Sequence, residues 1–238
     1  MLHSTEEQFE LEFADAMREK HSDLPYHNFE GHVLSAVDYF EDIVDDLESK
    51  GVVINRHFGR LALYGHDAGF EEDHDMHGLS TKEEYASEIR KAKLAEMGMA
   101  DSSITTISSA ILATHYQAEP ETNLEKAVRL ADIGNVSADE REFLRNMGLL
   151  IQESIVLRTP LTDTFAEHCQ RTQSFLQAYL NPAPAFTAES GEVVQLDRHM
   201  SFVNNIARLS ALSLAKLVNV SEKFTIPQKW SQPTLSED

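Results

Sequence analysis

The chain has 238 residues, enough for one large domain with a real core, and 42% of them are hydrophobic. Forty acids face twenty bases, a formal net charge of −20 at pH 7, with no run of Lys and Arg to interrupt the excess. That balance argues against a nucleic-acid polymer and against an anionic membrane as partners.

In chain order, Ser4-Thr5-Glu6-Glu7 offers a capping box, and Phe9, Phe13 and Met17 recur behind it at helical spacing. Pro25 interrupts before Tyr26-His27-Asn28, which reads as a turn feeding a helix. Val33, Ala36, Val37, Phe40, Ile43, Val44 and Leu47 then form one apolar stripe, with acids on the other faces, ending at Gly51. A helix from Arg56 to Tyr64 leads into His66-Asp67 and breaks at Gly69. A polar loop from Glu71 to Gly78 follows. Ser80 with Glu83 predicts a cap on a helix whose face is Tyr85, Ile89 and Ala92. Asp101-Ser102-Ser103 can cap a helix with Ile104, Ile107, Ile111 and Thr114 on one face, which delivers His115. Leu124, Ala127, Val128 and Ala131 run up to Asp132, and Ser137 with Glu140 opens the next helix, marked by Phe143, Met147, Leu150 and Ile151. Phe165, Cys169, Thr172, Leu176 and Tyr179 mark another. Asn181-Pro182-Ala183-Pro184 stops it and begins a linker-like segment to about Gly191. A last helix carries Phe202, Ile206, Leu209 and Leu212, and the tail from Pro227 reads as poorly ordered. No strand signal and no internal repeat interrupts the series. The expected fold class is all-α, a single bundle of about nine to ten helices.

The lone Cys169 cannot form an internal disulfide and reads as a buried small hydrophobe. No stretch approaches the roughly 18 apolar residues that a spanning helix needs, and Met1 to Glu7 shows neither a basic region nor an apolar signal core. A cytoplasmic setting is the expectation, with no membrane partner; self-association as a homodimer stays open. The charge gives a first prediction. Duplex DNA is not bound measurably at moderate salt, and tight, salt-sensitive binding in a fluorescence-anisotropy titration would reveal a basic patch that the sequence conceals.

Several polar residues sit at the ends of apolar helical patterns: His32 at the start of one, His66-Asp67 and His115 at the ends of two, and Asp132 directly after a fourth. Imidazole and carboxylate are the usual ligands of divalent transition ions, and helix ends can bring them together inside a bundle. Any one of them alone would be an ordinary hydrogen-bonded residue. Their order, His, then His-Asp, then Asp, resembles the HD-domain superfamily of metal-dependent phosphohydrolases. Tyr26-His27-Asn28 with His32 is similar to the opening motif of the cyclic-nucleotide phosphodiesterase branch and its bacterial relatives. Ile111-Leu112-Ala113-Thr114-His115 resembles the helix that brings a further His, and Leu130-Ala131-Asp132-Ile133-Gly134-Asn135 the segment that closes the site. Lys82-Glu83-Glu84-Tyr85-Ala86-Ser87 resembles the paired glutamates of a group of small bacterial HD proteins.

The chain also departs from those patterns. His27 and His32 are five apart rather than four, about 140° off one face of an α-helix, so His27 is expected before the helix and not stacked on His32. Glu71 stands where the phosphodiesterases have a second His, and Phe70-Glu71 where the alarmone hydrolases have Glu-Asp. The resemblance implies that residues 1–180 form an HD-type hydrolase core and 181–238 a linker, a C-terminal helix and a tail. It implies one or two divalent ions per chain, with Mn, Fe, Mg, Zn, Ni and Co not distinguished, held by His32, His66, Asp67 and Asp132. The substrate would be a small phosphorylated molecule, most plausibly a nucleotide. Asp67 would sit between two ions or orient the water, His27 would protonate the leaving oxygen, and His115 would bind a second ion or the phosphate. Glu84 is expected to cap or to be solvated, with water-mediated metal binding as its alternative, and His74 and His77 are expected to be solvated. Two rival readings remain: an HD-type di-iron oxygenase, and a helical binding module without activity.

Overall fold

The structure, a computed structural model, describes residues 5–157 and 164–220. The capping role of Ser4 and the tail from Pro227 lie outside the described residues. The described helices are α1 (Thr5–Arg18), α2 (Leu34–Ser49), α3 (Arg56–Gly65), α4 (Lys82–Glu96) and α5 (Asp101–Leu112), then α6 (Asn123–Asp132), α7 (Glu140–Val156), α8 (Phe165–Tyr179), α9 (His199–Arg208) and α10 (Leu214–Val220). One antiparallel ribbon joins β1 (Phe186–Thr187) to β2 (Val193–Val194). The architecture is all-α, as the periodicity predicts. Among the described residues, no helix is long and apolar enough to cross a membrane.

Two compact units divide the chain. The first takes residues up to 23, 27–135 and 181–197; the second takes 24–26, 136–180 and the chain from 198. The first unit is built around α3. Leu61, Ala62 and Leu63 are all fully buried, so three successive directions of this helix meet core rather than water. α1, α2, α4, α5 and α6 pack against it. The stripe of α2 from Val33 to Leu47 is buried as predicted, and so is that of α5. Asn55 starts α3 by accepting the Phe58 amide. The two helices α2 and α3 approach closely at Gly59, where a Cβ would stand 2.0 Å from Cζ of the fully buried Phe40. Gly59→Ala is therefore expected to cost about 1–3 kcal/mol, read as a lower urea midpoint. An unchanged midpoint would mean that α2 and α3 separate freely.

The segment after Pro184 is not a linker. Phe186 is fully buried, Asn123 holds Thr187 through both main-chain groups, and Glu189 donates its amide to the Gly51 carbonyl. Lys50 closes the far end on Asp197 and the Gln195 carbonyl. One buried aromatic in a run of Pro, Ala and polar residues is too short a pattern to read from sequence. In the second unit α7 packs with α10, and α8 with α9 and the turn after it. The Tyr26 amide donates to the buried carboxylate of Glu153 on α7, and Asn205 of α9 donates to the carbonyls of Val136 and Ala138. Cys169 is 5% exposed, and burial pushes its thiol up to about 11, as its apolar setting implied.

Candidate metal centre

Three elements deliver the polar cluster. The first is the segment Phe29–Val33, one turn of π-helix in which the Asn28 carbonyl accepts amides from both His32 and Val33. The Asn28 side chain accepts the Gly31 amide and caps it. The wider turn absorbs the extra residue between the two histidines. His27 does lie before the helix, as expected, but its ring stands against that of His32, centroids 5.3 Å apart and edge-to-face. The two rings do not stack, as expected, but they meet edge-to-face across the π-turn, a contact that a count of 3.6 residues per turn does not anticipate.

The second element is the end of α3. His66 is the first residue past the helix, and its Nδ1 donates to the Leu63 carbonyl at 2.7 Å. A carbonyl only accepts, so Nδ1 carries a proton and Nε2 is the ring nitrogen turned toward the cluster. Asp67 follows in a turn closed by Gly69, whose φ of +74° favours glycine and whose amide donates to the Lys20 carbonyl. A Cβ on Gly69 would also stand 2.6 Å from Cε1 of Tyr85. The third element is α6, which ends on Asp132 after a fully buried Ala131 and starts with a Thr122–Glu125 capping box.

These elements bring four predicted residues together. Nε2 of His32 stands 3.1 Å from Nε2 of His66, 3.1 Å from Oδ1 of Asp132 and 3.2 Å from Oδ2 of Asp67. Nε2 of His66 stands 3.1 Å from that Asp67 oxygen and 3.2 Å from that Asp132 oxygen. An imidazole nitrogen carries one in-plane proton or one lone pair and cannot satisfy three neighbours at once. Donor atoms bound at about 2 Å to one ion stand about 3 Å apart, the spacing found here. Oδ2 of Asp67 is buried and makes no hydrogen bond, although two ring nitrogens are close. A buried carboxylate oxygen in that position fits a cation ligand. His32, His66 and Asp132 form one group of potential metal donors, and His27, His32 and Asp67 a second that shares His32.

Burial opposes charge on all four residues, and their neighbours outweigh it. Burial would lower His32 and His66, but the Asp132 and Asp67 carboxylates raise both, His66 well above the usual imidazole range. Burial would raise Asp67, but the charges of His66 and His27 hold it well below the usual carboxylate range. Asp132, likewise pushed up by burial, is held at about 2 by His32 and His66.

His27 is fixed from the outer side. Its ring stacks on Phe70 at 4.0 Å and 16°, and the Lys82 ammonium sits 3.4 Å over the Phe70 ring. His115 belongs to neither donor group. It lies in the turn after α5, its ring 4.9 Å from that of Tyr116. The buried Arg129 of α6 ties down that turn by donating to the carbonyls of Ala113, His115 and Tyr116. The expected second-ion role of His115 therefore gains no geometric support, while His27 takes the position beside His32 and Asp67. Thr81 caps α4 by accepting the Glu84 amide, and the Glu84 carboxylate supports that cap by accepting the Ser80 amide. That cap begins one residue later than the predicted Ser80–Glu83 pair. His77 is half-exposed and stacks on Tyr85, and His74 stands 3.8 Å from exposed Asp75; neither reaches the cluster.

His21 went unassigned from sequence. Its Nδ1 donates to the Met17 carbonyl, and its Nε2 is buried without a partner. Burial lowers it, and Asp67, His66 and His32 are close enough for their charges to act on it. The bond between Lys20 and Gly69 brings it there, and no local pattern announces such a tie between distant turns. No family model, curated protein or solved structure matches the chain, so the reading of the site rests on its own geometry and on the motif order.

Proposed function

We propose that the chain is a metal-dependent phosphohydrolase of the HD type, acting on a phosphomonoester or phosphodiester of a small molecule, with a nucleotide as the expected substrate. One observation carries the reading: the Nε2 atoms of His32 and His66, 3.1 Å apart, each lie 3.1–3.2 Å from one oxygen of Asp67 and one of Asp132, in HD order. His32, His66, Asp67 and Asp132 would hold the ion. When bound, a divalent ion supplies Lewis acidity, lowering the pKa of water toward 7 and screening phosphoryl charge. The protein supplies the rest. The Leu63 carbonyl keeps Nε2 of His66 turned inward. Asp67 orients the attacking water from the turn after α3. His27, stacked on Phe70 at the outer side, carries the proton for the leaving oxygen.

Metal analysis of the full chain as purified, followed by a panel of phosphate monoesters and diesters, tests the proposal. It expects one or two ions per chain and hydrolysis that chelator removes and metal restores. A chain without stoichiometric metal that also binds none would leave the helical binding module as the reading. The group His27, His32 and Asp67 offers donors for a second ion, which the di-iron oxygenase reading also requires. Substrate-dependent O₂ uptake with visible iron absorption, in place of phosphate release, would decide for that reading.

Proton competition adds a prediction. His32 and His66 are raised, so in the metal-free protein they keep their protons to higher pH than a free imidazole. Metal must displace those protons. Apparent affinity should therefore tighten by about ten- to a hundredfold per unit as pH rises from about 5.5, then level off once both rings are neutral. A pH-independent isotherm would place the metal elsewhere.

A further inference from the structure

The face that α4 buries is not the apolar one. Tyr85 and Ile89 are only partly covered and Ala92 is exposed, whereas Ala86, Ser87, Arg90 and Leu94 are buried. Arg90 is fully buried, and of the fully buried side chains it is the largest. Its methylenes lie on Gly65, where a Cβ would stand 3.1 Å from Cγ of Arg90. Its Nη2 donates to Oγ of Ser108 on α5, and that hydroxyl spends its own proton on the Ile104 carbonyl. Nε and Nη1 of Arg90 are buried and have no partner, and neither has Oγ of Ser87, one turn earlier on the same helix face.

Every unsatisfied group here can donate a proton: the guanidinium offers only N–H, and the Ser87 hydroxyl has one O–H free to turn inward. Among the described residues the guanidinium also makes no ion pair. Glu88 is the acid that acts on Arg90, and it is exposed on the next face of α4 with its carboxylate on Lys91. Burial lowers the guanidinium only to about 9, so it is still a cation at neutral pH. A buried cation needs a counter-charge as well as acceptors; water supplies acceptors but no charge.

We propose that the packing of α3, α4 and α5 holds a small inorganic anion, with chloride as the ligand, bound by Arg90 and the Ser87 hydroxyl. Full burial of the guanidinium suits a monatomic ion rather than a phosphate or a carboxylate-bearing metabolite. The anion lies at the head of a side chain whose methylenes pack on Gly65, the residue that precedes His66. The inference is independent of the hydrolase reading, because it needs neither the metal nor the reaction.

The test uses the full chain. Crystals grown in sodium bromide are expected to show an anomalous peak in contact with the Arg90 guanidinium. Thermal unfolding at constant ionic strength is expected to shift upward as chloride replaces gluconate, by the linkage that any ligand of the folded state obeys. Ser87→Ala keeps the charge and removes one donor, so the chloride midpoint should move up by about tenfold, the loss of one hydrogen bond to a charged group. Arg90→Met removes the dependence altogether, and if it does not fold, Ser87→Ala carries the test. Water in place of bromide beside Arg90, or unfolding curves identical in chloride and gluconate, would overturn the proposal.

Discussion

Replacing His66 or Asp67 with alanine is expected to empty the metal centre and abolish turnover while the helical circular-dichroism signal stays near that of the parent chain. The expectation follows from where the two residues stand. His66 is 2% exposed, its ring is locked by the Leu63 carbonyl, and its Nε2 has no use in the fold beyond the cluster. Asp67 offers a buried oxygen with no hydrogen bond. Both residues follow the last turn of α3, so their removal leaves the packing of Leu61, Ala62 and Leu63 untouched. Loss of a supporting group around a metal typically costs about 10–100-fold in affinity, and loss of a ligand should exceed that. Metal content by mass spectrometry and hydrolysis of the best substrate are the two readouts. Full occupancy in both variants would remove the proposed centre. Loss of helical signal together with metal would instead mean that the cluster supports the fold.

Much of this could be read from the chain, and the parts that could not share a cause. The stripe from Val33 to Leu47 is apolar at every inward position, so its burial follows from periodicity alone. The clustered polar residues were legible because helix ends are where a sequence changes from pattern to punctuation, and His66-Asp67 and Asp132 stand at such points. The buried face of α4 was not, since Ser87 and Arg90 read as polar and a period count places polar residues outward. The π-turn at Phe29–Val33 escaped because no composition rule distinguishes it from an α-turn. Capping was read one or two residues early: Thr81 and Asp139 cap α4 and α7 where Ser80 and Ser137 were expected, and Ala100 precedes α5 without a side-chain cap. Each candidate oxygen has neighbours of the same kind, and only the backbone conformation selects among them.

Removing the His27 imidazole is expected to separate substrates by their leaving groups. Five residues before His32 and just ahead of the π-turn, its ring lies edge-to-face on His32 and flat on Phe70. Lys82 lies over the Phe70 ring, so the stack is held from both ends and the His27 ring is oriented without a metal. A ring fixed beside the ion's donors can hold a proton for the oxygen that departs. General acid catalysis typically contributes about 10²–10⁴-fold, so His27→Ala should lower turnover by that order on an alkyl phosphate. p-Nitrophenyl phosphate, whose leaving group departs without protonation, should lose much less. Metal content should stay at the parent level, because the group of His32, His66 and Asp132 is complete without His27. Phe70→Ala should show a weaker form of the same split, because it frees the ring without removing it. Equal losses on both esters would assign His27 to substrate positioning or to the second donor group. Loss of one of two ions in the His27 variant would decide for the donor group, and the proton would then have to come from another group, with His115 as the next to replace.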